Sequence, residues 1–327
     1  MRPTVPSLTR RAMGLACIAT YLLMVAAPLR AQTCTATMGG LDFGTVDTVS
    51  GSPTDYSSSM SITCTGYATP NIRVCLSLGA PSGIWDPRHM TGPASNRLNY
   101  NLYQDASRTT VWTSVFDPQP RPVALDLPTN GGAASATVPY YGRVPGGQTN
   151  APAGSYSNYF STDDTLVQAG GYTGAPPACT TSSPPQTQRF SFTLLATVAT
   201  YCTVSASNVD FGQQGFLNTP VNATGVITST CTKGSNYTLS LNAGSGTGAT
   251  FGQRRMTRSG GADTLVYALY RDSGRTQIWG DGSGGSSTVS GTGSGAAQTA
   301  TVYAALPVQD TPAAGSYADT ITVTVTF

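Results

Sequence analysis

The sequence is poor in charge and in histidine. Asp, Glu, Lys and Arg make up 10% of its 327 residues, the formal net charge is +2, and there is one histidine, His89. Proteins that bind nucleic acid neutralise phosphates with clustered Lys and Arg, so nucleic acid is excluded as the expected partner. A lone histidine offers neither a metal cluster nor a catalytic constellation. We therefore expect a protein that is not an enzyme and that binds no cofactor.

The composition favours strands over helices. The chain contains 37 Gly and 22 Pro, with abundant Ser, Thr and Asn, which disfavour helix interiors and supply turns. Runs of Val, Ile, Tyr and Thr suit strands. The length accommodates two domains of about 150 residues each. The composition predicts an all-β protein with two cores.

Residues 1–31 have the pattern of an export signal. Arg2, Arg10 and Arg11 precede an apolar run over residues 12–27, and a cleavage site follows near Ala31. An N-terminal membrane anchor, the alternative, needs about 20 consecutive apolar residues, and this run is shorter. Cys17 leaves with the signal, and the six remaining cysteines form an even set that suits an oxidising compartment.

Two parts of the sequence repeat each other in the same order. Asp-Phe-Gly stands at the same distance after Cys34 and after Cys202. Residues 61–64 then match 228–231, 88–90 match 254–256, 98–105 match 265–272, 108–112 match 275–279, and 152–156 match 313–317. The register is kept over almost the whole of both parts, so one unit has been duplicated. We place the first copy at residues 32–198 and the second at 199–327.

The repeat selects one cysteine pairing. The second copy contains only Cys202 and Cys231, which must pair with each other if pairing stays within a domain. By the duplication, Cys34 pairs with Cys64. Cys75 and Cys179 then form a bridge found only in the first copy. Spacing alone would leave 15 pairings open.

Two stretches alternate apolar and polar residues with the period of a strand that has one buried face. The first carries Phe190, Phe192, Leu194, Ala196 and Val198, and the second carries Ile321, Val323, Val325 and Phe327. Short strands separated by Gly-rich turns predict a β-sandwich rather than a helical or α/β fold.

Taken together, these motifs resemble the spore coat protein U family, the subunits of archaic chaperone-usher pili. The resemblance implies two tandem Ig-like β-sandwich domains, the C-terminal one lacking its last strand. It also implies passage through the periplasm to the cell surface, with a periplasmic chaperone, an outer-membrane usher and the next pilin subunit as partners. The chaperone and then the neighbouring subunit would lend the missing strand, which is strand addition to an open edge.

An ordinary subunit of that family carries a donor segment before its first cysteine, and this sequence does not. After cleavage only Gln32 and Thr33 would precede Cys34, so we expect that the chain cannot donate a strand outward. Residues 189–198 can complete only the first domain, either as a donor segment of the second or as the first domain's own last strand. We expect the second domain to accept a strand from another chain at the edge formed by Ile321, Val323, Val325 and Phe327. A subunit that accepts without donating belongs at the tip of a fibre.

Candidate contact residues lie where the copies differ. The first copy has an apolar, Pro-stiffened loop with Val115 and Phe116, and an insertion over residues 168–188 with Tyr172. Ile84 and Trp85 are a third candidate. The second copy has Phe251 at the position that matches Trp85, which favours a core role for Trp85. The alternative for both loops is that they only connect strands and have no binding role. Trp112, Trp279, Asp42 and Asp210 recur in both copies and indicate packing and turn roles.

The leading hypothesis is a tip adhesin that mediates surface attachment and biofilm formation through a surface or glycan receptor. The alternative is a structural pilus subunit or a spore or cyst coat subunit without a dedicated binding site. A third class, a secreted hydrolase or a carbohydrate-binding module, is disfavoured by the absence of a catalytic constellation, although sugar binding by Tyr172 or the Trp residues stays open.

Overall fold

The computed structural model describes Met1, Thr4 and residues 31–327, and in these residues the fold is all-β, with no α-helix. The predicted export signal lies outside them except for Met1, Thr4 and Ala31. One short 3-10 turn, Pro93–Ser95, interrupts the strands. Two buried clusters form separate cores, one from Cys34 to Val198 and one from Cys202 to Leu306. The chain therefore folds as two tandem β-sandwich domains, domain 1 and domain 2.

Domain 1 contains an eight-stranded sheet of order β1-β3-β8-β6-β5-β9-β12-β2 and a four-stranded sheet of order β11-β10-β4-β7. The strands are β1 Thr33–Thr37, β2 Leu41–Val46, β3 Thr54–Thr65, β4 Asn71–Leu78, β5 Arg88–Thr91, β6 Arg97–Tyr103, β7 Val123–Pro128, β8 Ala134–Val144, β9 Gly154–Phe160, β10 Thr165–Tyr172, β11 Gln186–Gln188 and β12 Phe192–Val198.

Domain 2 repeats this plan with fewer strands. Its sheets have the orders β13-β14-β19-β17-β16-β20 and β18-β15-β21. The strands are β13 Cys202–Ala206, β14 Val221–Cys231, β15 Asn236–Leu241, β16 Arg254–Arg258, β17 Thr264–Tyr270, β18 Val289–Thr292, β19 Ala297–Leu306, β20 Tyr317–Ala318 and β21 Val323–Thr326.

Three disulfides join Cys34 to Cys64, Cys75 to Cys179, and Cys202 to Cys231, as the repeat predicts. Two of them occupy matching positions, since Cys34 lies opposite Cys64 in the β1 to β3 ladder and Cys202 opposite Cys231 in the β13 to β14 ladder. The third ties the insertion after β10 to β4. Cross-links of this kind stabilise small-core domains chiefly by restricting the unfolded chain.

The strand register shows which loops lie together at each of the two ends of domain 1. Antiparallel β3 and β8 place Cys64 opposite Ala134 at one end and Thr54 opposite Val144 at the other. We call the first end the distal pole; it holds residues 66–70, 129–132 and 173–178. We call the second end the junction pole; it holds residues 47–53 and 145–153. Domain 2 sits at the junction pole, where the Ala153 amide donates to the Lys233 carbonyl at 3.3 Å.

Candidate functional site

Strand β12 completes domain 1. It runs antiparallel to β9, with Phe192 opposite Phe160, and parallel to β2, with Leu194 opposite Leu41. The side chains on its inner face, Phe192, Leu194, Ala196 and Val198, are all buried, and so is Phe190, two residues before the strand begins. Three residues after β12 ends, the chain enters domain 2 at Cys202. The strand therefore closes domain 1 and is also the segment that leads into domain 2.

Domain 2 has no counterpart of β12 in the described part of the chain. Its larger sheet ends at β20, the counterpart of β9, where the order in domain 1 continues with β12 and β2. The segment matching β2, residues 209–214, forms no strand. Between this segment and residues 315–317 runs an open groove of about 730 Å³, with Met256, Leu265 and Leu306 in its lining.

The groove exposes side chains whose counterparts in domain 1 are buried. Leu41, Phe43, Met90, Leu98 and Tyr156 are buried in domain 1, and their counterparts Val209, Phe211, Met256, Leu265 and Tyr317 are partly exposed. Tyr156 and Tyr317 make the same local bond, donating to the carbonyls of Pro152 and Ala313. The turn before this tyrosine is therefore the same in both domains, and the exposure in domain 2 follows from the missing covering strand.

The groove has little charge. Asp210 accepts a bond from the Gly212 amide at 2.7 Å, as Asp42 does from Gly44 at 2.8 Å, and both glycines have a φ of 68°. These two carboxylates therefore hold a tight turn that glycine permits. An apolar floor beside backbone edges suits an extended segment better than a charged ligand. Nothing in the lining provides a paired acid and base.

A tyrosine and a polar partner stand on β17 and on the segment after β20. Tyr267 donates to Asp319 at 2.7 Å, and in domain 1 the Asn158 side chain contacts Tyr100 at 2.8 Å in the same place. Burial and then the bond to Asp319 raise the pKa of Tyr267. Burial raises the pKa of Asp319 itself, but bonds from Ser245 and Tyr267 outweigh it and leave that pKa below its ordinary value.

Two buried arginines hold the loops at the ends of the smaller sheets, a role that the sequence analysis missed. Arg88 donates to the carbonyls of Gly79, Leu78 and Trp112. Arg254 donates to Asn242, Phe251 and Trp279. Burial lowers the pKa of each guanidinium. The signal that could have found them is their recurrence in the two copies beside Met90 and Met256.

Residues predicted to pack do so. Trp112 and Trp279 are fully buried, and their indole nitrogens donate to the carbonyls of Leu76 and Leu239. His89 is buried next to Arg88. No group of three or more His, Cys, Asp or Glu that could hold a metal ion occurs among the described residues. In residues 31–327 no helix has the length and apolarity needed to cross a bilayer.

The candidate contact residues do not lie together. Ile84 follows the end of β4, and the loop of Phe116 is tied to the same end because the Val115 amide donates to Ser77 at 3.2 Å. Phe116 is 57% exposed and Ile84 41%, whereas Val115 points into the protein and is 6% exposed. Trp85 is partly buried. We call the surface formed by Ile84 and Phe116 the flank.

Tyr172 is at the opposite end of the same sheet. It pairs with Asn71 at the start of β4, which places it beside the distal pole. Eight residues of β4 separate it from the flank by about 23 Å, at roughly 3.3 Å per residue. Tyr172 also donates to Asp126 at 2.8 Å. The insertion after it, residues 173–178, is mostly exposed and is anchored by the Cys75 to Cys179 bridge.

The structure separates the four residues expected at the acceptor edge. Val323 and Val325 belong to β21, which pairs with β15 as β10 pairs with β4. They are therefore counterparts of β10 and do not border the groove, and Phe327 follows them at the end of that strand. Ile321 matches Phe160, the last residue of β9. The groove lies between residues 209–214 and 315–317, and Ile321 continues the second of these edges, because Phe160 at the matching position lies opposite Phe192 of β12.

Comparison with known proteins agrees with this architecture. A family model described as the Spore Coat Protein U domain matches residues 19–162 and 188–324, one match in each half of the chain, and the second match includes β12. No protein of curated function matches the sequence.

The solved structures that are similar to the chain include the following two. One is the CsuC-CsuE chaperone-tip adhesion subunit pre-assembly complex from archaic chaperone-usher Csu pili of Acinetobacter baumannii, at 19% identity and a TM-score of 0.51, covering 90% of this chain and 100% of that chain. The other is the CupB6 tip adhesin from Pseudomonas aeruginosa, at 14% identity and a TM-score of 0.37, covering 90% and 95%. At 19% identity, the likeness to the first of these structures describes the fold alone.

Proposed function

The chain belongs to the Spore Coat Protein U domain family, and from this premise we propose that it is the tip subunit of a surface fibre assembled by a chaperone-usher system. In this function domain 2 joins the chain to the fibre, and domain 1 faces outward and attaches to a surface, which supports biofilm formation. The route is export, transit through the periplasm bound to a chaperone, and passage through an outer-membrane usher.

One observation carries the proposal: the same groove is filled by β12 in domain 1 and open in domain 2. Open, twisted sheet edges beside apolar grooves accept extended segments from other chains. Residues 209–214 and 315–317 offer two backbone edges, and the lining between them offers apolar contacts. We infer that a chaperone strand occupies the groove before assembly and a strand of the next subunit occupies it afterwards.

Domain 1 supplies the free end. Its groove is closed by its own chain, so it has no place for a further subunit, and its distal pole points away from domain 2. The exposed insertion at that pole, residues 173–178, has the position of a first contact with a surface. Tyr172 ends the strand that leads into this insertion, and Pro176 lies on the insertion itself, which the Cys75 to Cys179 bridge anchors. The flank with Ile84 and Phe116 is the second contact candidate.

The test is the position of the chain in fibres. An epitope tag placed in the exposed turn at residues 281–285, which are not part of the groove lining, should label fibre ends and no other part of the fibre. Labelling along the fibre would instead show a shaft subunit, and labelling confined to a spore or cyst wall would show a coat component. Deleting the gene for the periplasmic chaperone of the same system should remove the chain from the periplasm and from fibres.

A further inference from the structure

Domain 2 carries an apolar surface at the end farthest from domain 1. Phe216 is 85% exposed and Val308 is 59% exposed. They stand on two loops that are bonded to each other, since the Leu217 amide donates to Thr311 at 3.0 Å and the Gln309 amide donates to the Leu217 carbonyl at 3.2 Å. Both side chains line a depression of about 680 Å³. We call these two residues with Asp310 the basal patch.

The basal patch corresponds to the junction pole of domain 1. In domain 1 the Gln148 side chain bonds both backbone groups of Asn99, and in domain 2 Gln309 does the same with Val266. The loop over residues 145–153 is therefore the counterpart of the loop over residues 307–314. In this alignment Asp310 matches Thr149.

In domain 1 this pole is covered by a neighbouring domain. The Ala153 amide donates to Lys233, and Pro152 packs against Gly234. A Cβ atom on Gly295 would collide with the Thr149 carbonyl oxygen, so domain 2 approaches within backbone contact there. The covering segments, residues 232–235 and 293–295, are the loops at the matching distal end of domain 2. Domain 1 and domain 2 thus show how one domain of this family is seated on another.

The repeat indicates which partner would cover the basal patch. Strand β12 leaves domain 1 at the junction pole and enters the following domain after three residues. A strand donated into the groove of domain 2 in the same orientation would leave at the basal patch, so the domain attached to it would lie there. Large exposed apolar patches mark interaction surfaces, and this one lies where that domain must be.

Resting on the proposed function, we propose that the basal patch is a second contact with the next subunit, in addition to the donated strand. The partner is another domain of the same family, and the segment it contributes is the loop after its second half-cystine, which matches residues 232–235. Domain 1 has Thr48, six residues after Asp42, where domain 2 has Phe216. Phe216 would thus lie at a junction between two chains, whereas Thr48 lies at the junction where β12 links domain 1 covalently to domain 2.

The test places a photo-crosslinking benzoylphenylalanine at Phe216 of the full chain in the source bacterium. The same group at Tyr159, 57% exposed on the side of domain 1, is the matched control. Irradiated fibres should yield one adduct from position 216, and its peptide should come from the loop after the second half-cystine of a neighbouring subunit. Adducts with a chaperone only, with lipid only, or equal in yield to the control would overturn the proposal.

A second measurement does not depend on the probe. Phe216→Ser combined with Val308→Ser should leave the chain in fibres but raise its rate of release from sheared fibres on the order of tenfold or more, whereas Tyr159→Ser should not. Unchanged release would contradict the proposal. The amount of chain in the fibre fraction, measured first, reports on the proposed function by itself, because a chain absent from fibres of the unaltered strain contradicts that function.

Discussion

The rings of Phe160 and Phe192 stack with centroids 4.5 Å apart and planes 13° from parallel, directly opposite each other on β9 and β12. This contact closes the sandwich of domain 1 with a strand that precedes domain 2 in sequence. In domain 2 the matching position is Ile321, which is partly exposed. The two domains of one chain thus show the same sheet with its closing strand and without it.

Shortening Phe192 to alanine should destabilise domain 1. Removing a buried aromatic ring costs about 3–5 kcal/mol, whereas Leu195→Ala, on the outer face of the same strand and 46% exposed, should change stability by about 0.5 kcal/mol or less. Denaturant unfolding followed by hydrogen exchange of domain 1 peptides measures both. Equal effects of the two variants would show that β12 is not part of the core.

Domain 2 should lose stability in acid through Asp319. The folded-state pKa of this carboxyl lies below the ordinary value of 3.8, so its contribution is fully present above about pH 4 and is lost as the pH falls through the folded pKa. Asp319→Asn imitates the Asn158 and Tyr100 pair of domain 1 and should flatten this part of the curve. Thermal unfolding from pH 2 to 6 tests it. An identical pH dependence in variant and parent would show that Asp319 contributes nothing.

Removing the bridge particular to domain 1 should affect that domain alone. Cys75→Ser with Cys179→Ser should lower the stability of domain 1 by about 2–5 kcal/mol and leave domain 2 unchanged. Proteolysis should then cut within residues 173–185 before any other site. The accompanying peptide map of the unreduced parent should contain the three bridges of the structure, and a bridge between domains would contradict the repeat.

Attachment should depend on exposed aromatics and not on their buried neighbours. Phe116→Ser on the flank should leave folding intact, because an exposed loop residue contributes little to stability. Tyr172→Ser at the end of β10 should cost no more than its hydrogen bond to Asp126, about 0.5–1.5 kcal/mol. Each should weaken attachment about 10- to 100-fold if its ring is buried on the target surface. Binding to apolar plastic and to cell-surface glycans, measured side by side, shows which surface makes contact. No change in either variant would favour the structural-subunit alternative.

The sequence was informative wherever the two copies could be compared. The disulfide pairing and the inner face from Phe190 to Val198 follow from a repeated register and an alternating pattern. The alternating pattern is local and the cysteine positions are duplicated, so both features can be predicted without knowledge of the tertiary packing. The parallel pairing of β12 with β2 has no sequence signal, because alternation reports a buried face and does not identify the neighbouring strand.

The positions that differ from expectation have the same cause. Val323 and Val325 were expected at the acceptor edge, but they pair with β15, and the free edge lies at residues 315–317. Val115 and Phe116 are adjacent and equally apolar, yet the bond between Ser77 and the Val115 amide turns one inward and leaves the other exposed. The recurrence of Arg88 as Arg254 marks a shared role, but it does not identify the partners of Arg88, because these are backbone carbonyls.

The most direct test fills the groove of domain 2 with a strand. The full chain is extended at Phe327 by a flexible linker and a copy of residues 189–198, and a matched control carries Asp in the copied positions of Phe192 and Leu194. We expect the first extension to raise the Tm of domain 2 by at least about 10 °C. It should also protect the amides of residues 209–214 and 315–317 from hydrogen exchange, and the control should do neither. An unchanged Tm with both segments unprotected in the two proteins would contradict this expectation.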